Sequence, residues 1–241
     1  MNSQKQYFNP SFAFNIGENT QIFVEGDYLK QHFTPDFGLG ALMEKTTGIS
    51  SFETGLDKKQ FLGEDWNYQT SQQATGGITL NHKFNDRWYL NSVASYQNYT
   101  KDYFSVERIQ WKYTGNPSQS EPTWDRNLNK TYNEQNYTSL QINLNGEFNT
   151  GNAKHKVLFG ADGDYGTADA YTFYNPANNK TFGTSYIVGS WKLNTPTTWT
   201  HIAEPNSEKN TRNRINTTRY GVYIQDLSLI HISEPTRRRG I

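Results

Sequence analysis

The chain has 241 residues, with 23 lysines and arginines against 23 aspartates and glutamates, so its formal net charge is zero. Without a basic stripe to displace counterions from phosphates, nucleic acid is excluded as a partner, and without cysteine so are a disulfide framework and any thiolate metal or nucleophile site. No run approaches the roughly 18 consecutive apolar residues of a spanning helix, and the mean hydropathy is only -0.88, so a helical membrane protein is excluded as well.

Low charge and abundant aromatics fit two architectures equally: a membrane β-barrel with a lipid-facing band and a wet interior, or an aromatic-rich carbohydrate-binding β-sandwich. The start, Met1-Asn2-Ser3-Gln4-Lys5, is polar and carries no signal peptide, although an exported protein needs one. The chain is therefore expected to begin inside a longer protein.

Residues 7–15 alternate, with Phe8, Pro10, Phe12 and Phe14 on one side and Asn9, Ser11 and Ala13 on the other, as successive strand side chains do. Pro10 counts against a strand, because proline cannot donate to a ladder. A turn at 16–19 leads to a second run, 20–32, where Ile22, Val24, Gly26 and Tyr28 oppose Gln21, Glu25 and Asp27. An irregular segment, 33–68, follows; connections of this length are uncommon in compact domains and tend to be functional.

Residues 77–84 and 88–96, joined by Asn85-Asp86-Arg87, read as a hairpin. Ile78, Leu80, His82 and Phe84 oppose Thr79, Asn81 and Lys83; Trp88, Leu90, Ala94 and Tyr96 oppose Asn91, Ser95 and Gln97. Runs of this length approach the roughly 9 to 11 residues that cross a bilayer with tilt, where soluble strands average about 5 to 6, and length therefore favours the barrel.

After a second long segment, 105–134, the run 137–148 sets Leu140, Ile142, Leu144, Gly146 and Phe148 against Ser139, Gln141, Asn143, Asn145 and Glu147. Five successive polar residues on one face imply that this face is wet. The chain turns at Thr150-Gly151-Asn152-Ala153 and returns with Val157, Phe159, Ala161, Gly163 and Tyr165 outward, Asp162 and Asp164 inward. A third long segment, 168–216, precedes a last run at 220–226.

Connections alternate short and long throughout, as they do in an outer-membrane barrel with short periplasmic turns and long external loops. The expected fold is all-β: an antiparallel up-and-down transmembrane β-barrel, represented by seven strands. Seven is too few, and of the wrong parity, for a closed bacterial barrel.

Five pieces in this order resemble the barrel of TonB-dependent outer-membrane siderophore receptors: Pro35-Asp36-Phe37-Gly38-Leu39, Phe61-Leu62-Gly63, His82-Lys83-Phe84-Asn85-Asp86-Arg87-Trp88, His155-Lys156-Val157-Leu158-Phe159-Gly160-Ala161-Asp162 and Tyr220-Gly221-Val222-Tyr223-Ile224-Gln225-Asp226. The resemblance implies a twenty-two-stranded barrel plugged by an N-terminal domain that this chain lacks. It further implies active uptake of a ferric siderophore across the outer membrane, lipid around the barrel, and energy from the TonB complex acting through the plug. From Leu227 the sequence departs from the family and resembles a translated sequencing adapter. The expected division is therefore residues 1–226 as partial barrel and 227–241 as a foreign tail, which removes any meaning from the cluster Arg237 to Arg239.

No catalytic constellation emerges. Histidines 32, 82, 155, 201 and 231 form no His-Glu-x-x-His pattern, and phosphate-loop and Gly-x-Ser-x-Gly motifs are absent, so neither an enzyme nor a cofactor is expected. Asp162, Asp164 and Asp169 hint at calcium, but the glycine and closing glutamate of an EF-hand loop are missing, and lumen-facing acids are the preferred reading. The triplets Asn98-Tyr99-Thr100 and Asn136-Tyr137-Thr138 match a glycosylation acceptor, a pattern that chance supplies in an Asn- and Thr-rich chain.

Phe84, Trp88, Tyr96, Phe148 and Tyr165, at strand ends, read as an interfacial girdle. Trp111, Tyr113, Trp124, Tyr171, Tyr174, Trp191 and Trp199, in the long segments, are the candidate ligand contacts, because aromatic faces and a few donors hold a bulky organic chelate. The readings to be separated are a ferric-siderophore receptor, a diffusive porin without a plug, and a soluble or surface glycan-binding sandwich.

Overall fold

The structure is a computed structural model that describes residues 3–38, 42–43, 50–51, 61–108, 110–112, 123–192 and 201–230. It contains β1 (Ser3–Phe8), β2 (Ser11–Ile16), β3 (Thr20–Phe33), β4 (Leu42–Met43), β5 (Ser50–Ser51), β6 (Tyr68–Asn85), β7 (Trp88–Val106), β8 (Gln110–Lys112), β9 (Thr123–Thr150), β10 (Ala153–Asn175), β11 (Lys180–Thr181), β12 (Gly183–Lys192) and β13 (Glu208–Ile230).

Eleven of these strands form one sheet, and β4 pairs with β5 alone. Counting β1 and β2 as one interrupted strand, the long strands follow each other in chain order, each antiparallel to the next, through β3, β6, β7, β9, β10 and β13. The seven expected strands are therefore present, in an up-and-down meander.

Local chemistry sets the short turns. Gly17 and Gly151 take φ of 66° and 60°, the left-handed region that glycine enters without a Cβ penalty. At the β6–β7 turn the Asn85 side-chain oxygen accepts from the Arg87 and Trp88 amides at 2.9 and 3.0 Å, mimicking a backbone turn. Pro10 sits between β1 and β2 without breaking the register. Gly26 N donates to Pro10 O at 3.0 Å, and Asn9 Nδ2 donates to Gly26 O at 3.0 Å, replacing the donor that proline lacks.

Register between β7 and β9 runs unbroken from Trp88↔Gly146 to Val106↔Leu128, so their even-numbered residues share one face along the whole length. Carried across the sheet, one row reads Val24, Ile78, Ala94, Leu140, Gly163, Tyr220 and the next Ile22, Leu80, Ser92, Ile142, Ala161, Val222. This apolar face is bare: Tyr220 is 90% exposed and Val222 87%. Among the described residues no second sheet covers it, which removes the sandwich, whose two sheets must bury their inner faces against each other.

The opposite face is polar and cross-linked. Asn91 Nδ2 donates to Asn81 Oδ1 at 2.8 Å, Gln21 Nε2 to Asn15 Oδ1 at 3.1 Å, and Ser95 and Ser139 hydroxyls meet at 2.7 Å. Tyr223 lies over Gly160, where an added Cβ would come within 2.0 Å of the ring, and its hydroxyl donates to Asn143 Oδ1 at 2.6 Å. On the apolar face Trp88 lies over Gly146 in the same way.

Several strands are much longer than a membrane crossing. β9 has 28 residues, and β10 and β13 have 23 each, against about 9 to 11 for a tilted crossing. The excess lies on the side of the long connections. Segments 105–134 and 168–216, expected to be irregular, are accordingly strand from Thr123 onward, up to Asn175, along β12 and from Glu208. The buried core lies there too: Phe104, Val106, Leu128, Phe173, Phe182 and Tyr186, flanked by Trp66, Tyr68, Tyr132, Tyr171 and Val188.

In β13, Tyr220, Val222 and Ile224 occupy the apolar face. Pairing with β10 continues to Ala153↔Ile230, which puts positions 227 and 229 on the opposite face, so the apolar alternation reverses after Asp226.

Candidate functional site

The tall end of the sheet is where chemistry gathers. There β9 is flanked by β8 and β12, and the register aligns Trp111 with Trp124 and Trp124 with Trp191, one tryptophan position on each of three neighbouring strands. The adjoining row is Lys112, Thr123 and Lys192. Three of the expected ligand residues thus form a single cross-strand row.

The remaining four do not join it. Tyr113 and Trp199 lie outside the described residues. Tyr171 stands in the row of Asp102, Tyr132 and Arg212, with its ring 5.7 Å from that of Tyr132 and Lys209 Nζ 4.5 Å from its centre. Eight residues separate Tyr132 from Trp124 on β9, about 27 Å at strand rise. Tyr174 falls on the other face and donates to Glu208 Oε2 at 2.7 Å, an acceptor that pushes its phenol above the ordinary value.

Sequence reasoning missed the clasp that holds the loops to this rim. Glu64, 1% exposed, accepts from Arg126 Nη2 at 2.8 Å and from the Ile202 amide at 3.3 Å, and its other oxygen is 2.9 Å from His201 Nδ1. Trp66 Nε1 donates to Ile202 O at 2.9 Å, and Asn67 Oδ1 accepts from the Val106 amide at 3.2 Å. Burial draws the Arg126 pKa down while the Glu64 carboxylate opposes that shift. Glu64 and Arg126 are 62 residues apart, Glu64 and His201 137, so no local spacing announces the contact.

A second missed cluster surrounds Lys130. Its ammonium lies 4.4 Å from the Phe104 ring centre, 5.3 Å from Phe173 and 5.8 Å from Tyr68, and donates to Tyr68 Oη at 3.3 Å. Tyr68 in turn donates to Asp102 at 3.3 Å. Burial lowers the lysine's pKa and raises the phenol's, with Asp102 adding to the latter. Tyr103, donating to Glu107 at 2.8 Å, is raised for the same two reasons.

The three aspartates do not converge. Asp164 pairs with Arg219 at 3.0 Å and, like Asp162, stands on the polar face. Asp169 occupies the opposite face, a departure from the expectation that all three line the lumen, and is held by Arg212 and Arg214. Among the described residues no group of three His, Asp or Glu side chains could hold a metal ion. His82 bonds Thr20 at 2.8 Å, and His155 stacks on Phe148 at 4.9 Å and reaches Asp226 at 2.9 Å, roles at the short-turn rim. The girdle aromatics Phe84, Tyr96, Phe148 and Tyr165 are between 40% and 57% exposed on the apolar side.

Similarity to known proteins agrees with this geometry. Catecholate siderophore receptor Fiu of Escherichia coli K12 is 24% identical over 167 residues, which is 64% of this chain and 21% of Fiu. The chain thus spans about a fifth of the length of the curated relatives it matches. Among solved structures, the closed form of the ferric-catecholate import receptor Fiu superposes with a TM-score of 0.69 at 20% identity, covering 96% of this chain and 32% of that one. The siderophore receptor PiuA of Acinetobacter baumannii gives 0.63 at 20% identity (94% and 33% covered), and the ferripyoverdine receptor of the outer membrane of Pseudomonas aeruginosa 0.63 at 15% identity (92% and 28%).

Receptor barrels of this kind stand in the outer membrane of Gram-negative bacteria, and the bare apolar face is the surface such a membrane requires. The TonB dependent receptor-like beta-barrel family matches over residues 7–233, and the chain belongs to it.

Proposed function

We propose that the protein to which these strands belong takes up a ferric siderophore by TonB-energised transport, with no covalent catalysis. Loops at the tall rim capture the chelate, the polar face offers it a hydrated path, and a plug domain moves on energy coupling. The family match and the likeness to Fiu support this reading. Tryptophan positions 111, 124 and 191, adjacent in register at the tall rim, are the ligand contacts to test, because aromatic residues suit a ligand with a broad organic shell. Fiu's name makes a ferric catecholate the first ligand to try.

The test uses the intact receptor in an iron-starved strain lacking its own siderophore receptors, fed radioiron as ferric catecholate. Alanine at Trp111, Trp124 and Trp191 should cut uptake about tenfold while the amount of heat-modifiable barrel in the outer membrane stays unchanged, since a few aromatic anchors carry most of a binding energy. Unaltered uptake refutes the site. Uptake that persists without TonB refutes energised transport and makes the protein a diffusive porin.

The same reading takes residues 1–226 as barrel and 227–241 as foreign. It is supported by the reversal of apolar alternation after Asp226, although the family match runs on to residue 233. Sequencing the gene through codon 227 in its host decides it: a further amphipathic strand in place of Leu227 is the expected result, and the same tail would overturn it.

A further inference from the structure

We propose that the outward face of β10 and β13, between the aromatic girdle and the loop core, binds the phosphorylated headgroup of an outer-leaflet lipid. From Phe159 to Tyr165 and from Thr218 to Ile224, the residues on this face are uncharged. Asp169 lies four residues beyond Tyr165, about 13 Å along the strand and about 10 Å in height at barrel tilt, where headgroups rather than acyl chains surround a barrel. Higher still, Phe173 and Phe182 close the face with protein.

Within that interval Arg212 and Arg214 both grip the buried Asp169. Each donates Nε to Oδ1 and Nη2 to Oδ2, at 2.7 to 2.8 Å. One carboxylate offsets one guanidinium, so a unit of positive charge is left on two side chains that are 43% and 47% exposed. Lys209, 4.5 Å from the Tyr171 ring, adds a second cation beside Arg212, while Glu134 in the Asp169 row and Asp102, bonded to Tyr68, are the nearby acids. Each arginine spends one edge of its fork on Asp169 and keeps Nη1 for another acceptor. Two such edges at headgroup height match a phosphate monoester, which guanidinium binds in bidentate fashion.

The intact receptor in detergent, stripped of lipid, is titrated with bisphosphorylated lipid A, with its dephosphorylated form and with inorganic phosphate, and binding is read by native mass spectrometry. Lipid A should bind, its dephosphorylated form at least about fivefold more weakly, and inorganic phosphate should not compete. Arg214→Gln, which leaves a neutral Arg212–Asp169 pair, should weaken lipid A binding about fivefold, and Asp169→Asn, which adds net positive charge, should strengthen it. Heat-modifiable folding, checked in both variants, should be retained. Equal binding of the two lipid A forms, an unchanged affinity in Arg214→Gln, or variants that shift binding in the same direction would overturn the proposal. Competition by inorganic phosphate would do so too, making the cluster a soluble-anion site.

Discussion

Replacing Ile142 with arginine tests the division of the sheet into an oily and a wet face. Ile142 lies four residues from Thr138, whose row holds the girdle tyrosines Tyr96 and Tyr165, and four from Gly146, which carries Trp88. Eight residues at about 3.4 Å each, tilted about 40°, give a band about 21 Å tall, close to the usual 25 Å, and put Ile142 at its middle. Arginine on the lipid side of a barrel costs about 2–4 kcal/mol at the midplane and about 0–1 kcal/mol at the interface. Ile142→Arg should therefore lower the equilibrium constant for urea-titrated folding of the intact receptor into lipid vesicles by about thirtyfold to several hundredfold. Tyr165→Arg, in the girdle, should cost no more than about 1 kcal/mol. Gln141→Arg, one residue away on the wet face, should cost about 1 kcal/mol at most, the worth of the exposed Gln141–Tyr223 hydrogen bond it removes. If Ile142→Arg and Gln141→Arg fold equally well, the assignment of faces is wrong.

Gly160→Ala should force the Tyr223 ring away and break its bonds to Asn143 and Gln141, at about 2 kcal/mol, and in a double-variant cycle with Tyr223→Phe the two costs should fall short of adding. Tyr68 and Tyr103 have folded pKa values above the unfolded value near 10, so their contribution is intact below that pH and is lost as pH climbs past it. Ultraviolet phenolate titration of the folded receptor should show tyrosines that stay protonated when the exposed ones have ionised, and Tyr68→Phe and Tyr103→Phe should each remove one of them. Glu64→Gln should loosen the clasp, seen as faster amide hydrogen exchange over residues 201–207 with exchange in β9 below Tyr132 unchanged; equal rates in wild type and variant would refute it. The 241-residue chain by itself should aggregate or need detergent, since hydrocarbon does not tolerate open strand edges, and a soluble, cooperatively melting monomer would contradict this.

The alternation of side chains located all seven strands where each has lipid on one side and water on the other, as at Leu140 to Phe148. It failed where both faces meet water or loops: the stretch Thr123 to Gln135 carries Arg126, Asn127, Asn129, Lys130, Asn133 and Glu134 and reads as loop, yet it is the upper half of β9. The same loss of contrast hid the strand from Glu208 to Thr218, whose Arg, Asn and Thr residues are all exposed. Of the candidate site, the tryptophans could be picked by type, but their alignment depends on β8 and β12 closing on β9, which no spacing within the chain encodes. The Glu64 clasp and the Arg212–Asp169–Arg214 cluster were illegible for the same reason, since their members meet only after register is set.

Pro10 has a consequence for assembly. In an antiparallel ladder, a residue's amide and carbonyl point to the same neighbour, and successive residues alternate. Pro10 bonds toward β3, where Asn9 makes good the loss, so its ring takes nothing from the outer margin. A proline often deters unwanted pairing at a sheet's border; here it leaves the docking groups of Asn9, Ser11 and Ala13 free for whichever strand closes the seam.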